Sequence, residues 1–480
     1  MTNLDTAPPP VIAPPPRPPT VDRRPSALPV LLCAVFMIVL DFFAVNVALP
    51  SIQARLHASS SAIEWVVAGY GLTFAVMIIT GGRLGDLLGR RRVFSVGLGL
   101  FTVASALCGL APNPTLLVIA RLIQGLGGAL ISPNVLSIIG VSYAGPARVR
   151  AITFYGMVMG LAAAGGQLIG GILIQANLFG WGWRTVFLIN VPVGLIASAF
   201  APRRIFESRA QGRIRLDVTG TTLITLGLTA LVLPLVEGTQ LHWPTWTWGS
   251  LALAPLLFAA FASHERRTTR RGGMPLFDPV LFRRRTLLSG LVIQLVFWCG
   301  QASFFLVFAL YLQSGRGLDA LDAGLVFSIL AVAYLATSFR APSLTLRFGR
   351  ALIATGAVIL AAGDGALLVT VAHLGVSGSV WLLAPGLVLV GAGMGLCITP
   401  LTSTVLSHAD PERAGAVSGA LSTMQQVGNA LGVAVTGAIF FGSLAGGYAH
   451  AFELSVAELG GLLLSVAALS RLLPERSVTR

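Results

Sequence analysis

Between Leu28 and Ser470 the chain is a succession of long apolar runs parted by short polar links. A hydrocarbon core of roughly 30 Å takes a helix of about 20 apolar residues to cross. Six runs fall at Leu28 to Leu49, Ile63 to Thr80, Val93 to Leu110, Leu116 to Leu136, Ile152 to Gln175 and Thr185 to Phe200. Two follow at Val218 to Leu235 and Trp246 to Ala262. Six more lie at Leu287 to Leu312, Ala320 to Ser338, Ala351 to Val371, Val380 to Val405, Ala414 to Phe441 and Phe452 to Ser470. Read as helices, they predict an all-α membrane protein with fourteen transmembrane helices and both ends on one side. The composition agrees: 55% hydrophobic and 10% charged residues, against about 25% charged in soluble domains.

A net charge of +14 suggests a nucleic-acid partner in a soluble chain, so its placement decides its meaning. Links assigned to one side carry Arg83, Arg90, Arg91, Arg92, Arg148, Arg150, Arg203, Arg204, Arg266, Arg267, Arg270, Arg271, Arg340, Arg347 and Arg350 among others. The opposite links carry only Arg55, Arg184 and Arg316. Short arginine-rich loops stay in the cytoplasm, which puts both termini there and makes the charge a topogenic, lipid-facing signal. No nucleic acid is expected as a partner; the lipid bilayer is. Every one of the 32 basic residues is arginine. Without lysine there is no phosphate-loop or Schiff-base lysine, which excludes an ATP-driven pump in this chain. Cys33, Cys108, Cys299 and Cys397 all sit in apolar runs, with no disulfide framework or metal spacing. The nine prolines of Met1 to Ala27 predict a disordered tail at 1–27.

A shift of 260 residues carries the turn Gly82-Arg83-Leu84-Gly85-Asp86-Leu87-Leu88-Gly89-Arg90-Arg91-Arg92 onto Pro342 to Arg350. Leu, Gly and Arg are kept and the Asp is lost. Gly125-Leu126-Gly127-Gly128-Ala129, ending at Pro133, is likewise echoed by Gly391-Ala392-Gly393-Met394-Gly395, ending at Pro400. The division is therefore a half at 28–203, an insert of two helices at 204–285, a second half at 286–473 and a tail at 474–480.

Two ionisable residues stand inside these runs. Asp41 lies about eight residues from the outer end of the first run, roughly 12 Å deep, and Arg121 roughly 8 Å deep in the fourth. A central Asp costs roughly 2.5 to 3.5 kcal/mol to insert, so it should face a wet cavity or a partner. The matching depths pair Asp41 with Arg121 in one cavity. The alternative is a fixed ion pair that only sets helix packing.

The pattern Gly82-x-x-x-Asp86-x-x-Gly89-Arg90-Arg91 resembles the signature loop of the major facilitator superfamily. Asp41 to Pro50 and Trp183 to Gly194 resemble motifs of its fourteen-helix drug/proton antiporters, and Arg121-x-x-Gln124-Gly125-x-Gly127-Gly128 resembles the motif linked there to proton coupling. The resemblance implies two six-helix halves plus two inserted central helices, and proton-coupled export of amphipathic small molecules, cationic or neutral, by alternating access. It implies a secondary transporter of the bacterial inner membrane, monomeric, without cofactor or metal, and not an enzyme. Protons and a small-molecule substrate would be its partners. Gln167 stands where such antiporters usually have proline. A facilitator or importer, or an exporter of a lipid or secondary metabolite, therefore stays open as an alternative.

Two further expectations concern sites. Gly82, Asp86, Gly89, Arg90 and Arg91 are expected to form a conformational latch on the cytoplasmic side. Gln294, Trp298, Gln301 and Phe305, spaced four, three and four, share one helix stripe. With Asn46, Gln124, Gln167 and Gln426 they form the expected substrate cavity. Asp364 also lies within an apolar run, while all six histidines lie near helix ends or in links, so no histidine proton relay is expected.

Overall fold

The computed structural model describes residues 27–143, 145–209, 216–238, 240–273, 275–276, 285–407 and 414–473. Both expected tails, Ala27 apart, lie outside them. All regular structure described is helical. The helices are α1 (Leu28–Leu56), α2 (Ser60–Leu88), α3 (Arg90–Leu110), α4 (Pro114–Ser142), α5 (Gly145–Ala176), α6 (Thr185–Leu188) and α7 (Asn190–Arg204). Next come α8 (Val218–Gly238), α9 (Thr245–Arg270), α10 (Arg285–Leu310), α11 (Ala320–Ser338) and the short α12 (Ala341–Phe348). The chain closes with α13 (Arg350–Leu374), α14 (Ala384–Ser407), α15 (Ala414–Gly442) and α16 (Tyr448–Leu469).

Local chemistry places several ends. Ser59 Oγ accepts the Ala62 N–H at 3.2 Å, Asn113 Oδ1 the Leu116 N–H at 2.9 Å ahead of Pro114, and Asp319 Oδ1 the Asp322 N–H at 2.8 Å. Each satisfies a backbone donor that the first helical turn cannot. The α2–α3 reversal departs from the sequence reading, which began the turn at Gly82. α2 runs unbroken to Leu88, so Gly82, Gly85 and Asp86 are helical and the chain reverses at Gly89, whose φ is 113°. Gly349 repeats this with a φ of 52° between α12 and α13.

Twelve helical stretches among the described residues are long and apolar enough to cross a membrane. The two arms of α5, Arg150–Ala163 and Gly165–Ala176, bend by 46° and would make a thirteenth. The count of fourteen is not reached by this measure. Packing repeats along the chain: α2 on α4, α3 on α4, α1 on α5 and α3 on α7 correspond to α11 on α14, α13 on α14, α10 on α15 and α13 on α16. The two sets meet where α5 packs on α11 and α2 on α15. α8 packs against α2, α15 and α9. α9 is the outermost, with Leu253, Leu256 and Trp248 on its bare apolar face.

Glycine sets the closest approaches. A Cβ at Gly428 would lie 2.6 Å from the Leu295 carbonyl oxygen, and one at Gly432 2.0 Å from that of Cys299. Small residues let membrane helices touch backbone to backbone where apolar burial gives no net drive.

Candidate functional site

Asp41 of α1 and Arg121 of α4 form an ion pair with 1% and 0% of their surfaces exposed. Arg121 Nη1 donates to Asp41 Oδ2 at 2.6 Å, while Gln124 Nε2 and Asn190 Nδ2 each donate to Asp41 Oδ1 at 2.9 Å. Gln124 is itself held: its Oε1 accepts from Arg121 Nη1 at 2.7 Å and its Nε2 donates to Ser105 Oγ at 2.8 Å. Arg121 Nε donates to the Val66 carbonyl at 2.8 Å, and the guanidinium lies 4.3 Å from the Tyr70 ring centre. A charge-assisted pair shielded from water is far stronger electrostatically than the same pair at a surface. Both carboxylate oxygens serve as acceptors, Oδ1 for two donors and Oδ2 for one.

Five helices build this network: α1, α2, α3, α4 and α7. Asn190 is the first residue of α7, and Ile189 before it keeps helical dihedrals (φ −60°, ψ −28°). α1 continues to Leu56, so Asp41 lies deeper than the run ending at Leu49 implied.

At the turn end of the bundle, Asp86 Oδ1 accepts from Arg90 Nε at 2.9 Å and from Arg90 Nη2 at 2.7 Å, one helical turn away across Gly89. The start of α3 is capped by a residue that the sequence reading passed over: Glu207 Oε1 accepts the Arg91 N–H at 3.1 Å, and the Ser208 carbonyl accepts the Arg90 N–H at 2.9 Å. A Cβ at Gly85 would collide with the Asn134 amide, and one at Gly82 would rest on Pro133, so both glycines serve α2–α4 contact. Close by, Arg83 donates to the Pro275 carbonyl. Asp217, His264 and Glu265 offer ligand atoms within 4.8 Å of one another. Arg83 acts electrostatically on both acids, supplying the positive charge such a cluster needs. Burial works against charge on Asp217, but the Gly220 N–H and His264 Nε2, at 2.7 and 2.8 Å from its Oδ1, hold its carboxyl below the ordinary carboxylate range.

The expected cavity residues fall in several places. Gln124 belongs to the Asp41 network. Asn46 turns its amide back to the carbonyls of Phe42 and Phe43 at 3.1 and 3.3 Å. Gln167 is 2% exposed on α5, where its carbonyl meets Gly324 of α11, and neither side-chain amide atom has a partner among the described residues. Gln294, Gln301 and Phe305 are buried on α10 and Trp298 is half-buried. Phe305 meets Phe43 of α1 edge-on at 5.1 Å and stacks on Phe327 at 5.7 Å. Gln426 of α15 lies against Gly71 of α2 and accepts from Asn429 at 2.8 Å. Away from the α2–α3 turn, Gln313 Nε2 donates to the Val47 carbonyl at 2.9 Å, tying the two helix sets together.

The sequence signature of the Major Facilitator Superfamily matches residues 31–433. The chain belongs to that superfamily. It is 40% identical over 428 residues to the "Probable actinorhodin transporter" of Streptomyces coelicolor, covering 89% of this chain and 74% of that protein. It is 37% identical over 467 residues to the "Cephamycin export protein CmcT" of Amycolatopsis lactamdurans, covering 93% and 92%. Among solved structures, an auto-inhibited peptide transporter of the POT family superposes with a TM-score of 0.70 at 14% identity, over 95% of this chain and 99% of that one, which shows a shared fold. This superfamily member is thus a multi-pass membrane transporter rather than an enzyme.

Proposed function

We propose that this transporter exports amphipathic small molecules, cationic or neutral, from the bacterial cytoplasm in exchange for protons. In this reading it works as a monomer with fourteen spans: α15, 29 residues long and packed on α10 and α2, is counted with the twelve stretches and α5. The arginine-rich turns then lie in the cytoplasm with both termini. The halves at 28–203 and 286–473 rock about the site, and 204–285 is an insert. The single observation that carries the reading is the sealed Asp41–Arg121 pair. A buried acid with one basic partner and two amide donors is a two-state element: deprotonated it holds Arg121, protonated it lets Arg121 go. Relatives named for antibiotic transport and export favour outward drug movement over import.

The state described supports the same cycle. Phe43–Phe305 and Gln313–Val47 join the halves towards the outer end, and Asp86 is engaged by its own Arg90. A substrate-ready exporter open to the cytoplasm has already released its proton, which suits an Asp41 bonded to Arg121 and to two amide donors. The test is pH-gradient-driven uptake of a fluorescent cationic dye into inside-out vesicles. Uptake that persists unchanged after the pH gradient is collapsed, with the potential clamped, decides for a facilitator.

Asp86→Asn tests the latch. A partly exposed ion pair one helical turn apart is worth about 0.3–0.5 kcal/mol, so folding and dye affinity should stay nearly unchanged. Turnover should slow several-fold, because Arg90 then has no fixed partner to exchange as the halves move. Cysteine labelling from the cytoplasmic side should rise; unchanged labelling with lost dye binding rejects the latch.

A further inference from the structure

A groove of about 450 Å³ opens between α13 and α16 on the outside of the second half. Val358 and Leu464 on its walls are 49% and 57% exposed, so it faces the bilayer and not the interior of the bundle. On the α16 side Leu464, Ala468 and Arg471 follow one another at helical spacing, with Arg471 in the turn that ends the helix. Arg350, the first residue of α13, donates to the Arg471 and Leu473 carbonyls, both at 2.8 Å, which sets the two helix ends level. Counted from there at about 1.5 Å per residue, Thr355 lies roughly 8 Å in, Leu464 roughly 10 Å and Ile359 roughly 14 Å. The hydrocarbon of one leaflet is about 15 Å deep, half of the core. Two polar groups along this depth are unused by the protein. Thr345 and Thr370 each return their hydroxyl to the carbonyl one turn back, at 2.7 Å. Thr355, exposed in the groove, makes no hydrogen bond through its hydroxyl among the described residues, and no acceptor or acid among them engages the Arg471 guanidinium.

We infer that this groove binds one anionic phospholipid from the leaflet that bathes the arginine-rich turns, its phosphate on Arg471, an ester carbonyl on Thr355 and an acyl chain along Val358, Ile359 and Leu464. The order of groups along the groove is the order within such a lipid: a cation at the polar surface, a hydroxyl just beneath it, then carbon alone. Arginine matches phosphate geometry with paired donors. Basic pockets between membrane helices on the side of the anionic leaflet hold lipid headgroups in this way. The lining carries no carboxylate to oppose the phosphate. Inside hydrocarbon there is no water to take the Thr355 O–H, and the ester carbonyls of a phospholipid are the acceptors that lie just below its phosphate. Both walls belong to the second half, so the lipid moves with that half and binds whichever end of the transporter is open. The site rests on the membrane placement of the chain and on no step of transport.

The test is native mass spectrometry of the full-length protein, stripped of lipid in detergent and titrated with phosphatidylglycerol. The wild type should retain one phosphatidylglycerol in preference to phosphatidylcholine with the same acyl chains. Arg471→Gln should weaken that binding roughly tenfold and erase the preference, while Thr355→Val should weaken both lipids roughly threefold. Ala468→Phe, which fills the groove and leaves both polar groups in place, should displace the lipid. All three positions are exposed, so the thermal midpoint without lipid should stay as in the wild type, and the rise in midpoint that phosphatidylglycerol gives the wild type should shrink in each variant. Equal retention of the two lipids by the wild type overturns the site, as does phosphatidylglycerol binding undiminished in Arg471→Gln and Ala468→Phe. Displacement of the lipid by inorganic phosphate would make Arg471 a site for the free anion and overturn it too. A lipid-free dimer that Ala468→Phe abolishes would put a second copy of the chain on this face, with the same consequence.

Discussion

Asp41→Asn should abolish pH-driven dye transport while the protein still inserts and still binds dye. Asparagine keeps the shape and can still accept one hydrogen bond, but it cannot carry a charge or take up a proton. Arg121, 0% exposed, then has no counter-charge. Breaking a buried pair by removing one member typically costs about 3–5 kcal/mol, because the remaining charge is left uncompensated. A marked fall in the thermal midpoint should therefore accompany the loss of coupling. The double variant Asp41→Asn with Arg121→Gln separates the two effects. Removing the stranded charge should recover much of the midpoint and none of the coupling. Proton movement that still keeps step with dye flux in Asp41→Asn vesicles would show that the coupling acid lies elsewhere. The energy scale is adequate: one proton moving down about 100 mV supplies roughly 2.3 kcal/mol, and each pH unit adds about 1.4.

The second large effect is structural. Gly432→Ala places a methyl group where the Cys299 carbonyl oxygen already stands, 2.0 Å from the ideal Cβ and with backbone on the far side. Neither helix can yield by rotating a side chain, so α10 and α15 must separate along their contact. Overpacking typically costs about 1–3 kcal/mol, and here separation also loosens Gly428 against Leu295. The expected result is a lower yield of monodisperse protein and an earlier thermal transition in detergent. Gly461→Ala on α16 is the matched control, since a Cβ there meets nothing within 4 Å, and such a change should stay within about 0.5 kcal/mol. Equal behaviour of the two variants would remove the α10–α15 contact from the account of stability.

Much of this molecule could be read from one dimension, because the bilayer imposes a one-dimensional rule. Apolar length decides a span, arginine decides a side, and the cost of an acid in hydrocarbon makes Asp41 conspicuous wherever its partner lies. The repeat could likewise be read from the first hairpin, whose Gly89 and Arg90 are echoed at Gly349 and Arg350. The same rule has limits. It could not see that α5 bends by 46°, nor that α2 runs to Leu88 through Gly82 and Gly85, because glycine in a sequence marks a turn and a close helix contact alike.

What the sequence alone determined was the class of protein: an all-helical, arginine-sided membrane chain with internal duplication and an intramembrane acid and base. Only the tertiary structure decided who bonds to whom. Asn190, Ser105 and Tyr70 join Asp41 and Arg121 from three other helices. Glu207 caps a helix that begins 117 residues earlier in the chain, at Arg90. Glu64, inside an apolar run and unremarkable there, meets Gly437 only because α15 lies along α2. The reason is geometric: helical periodicity fixes which residues share a face, but the rotation and neighbour of each helix are set by the packing of all of them at once.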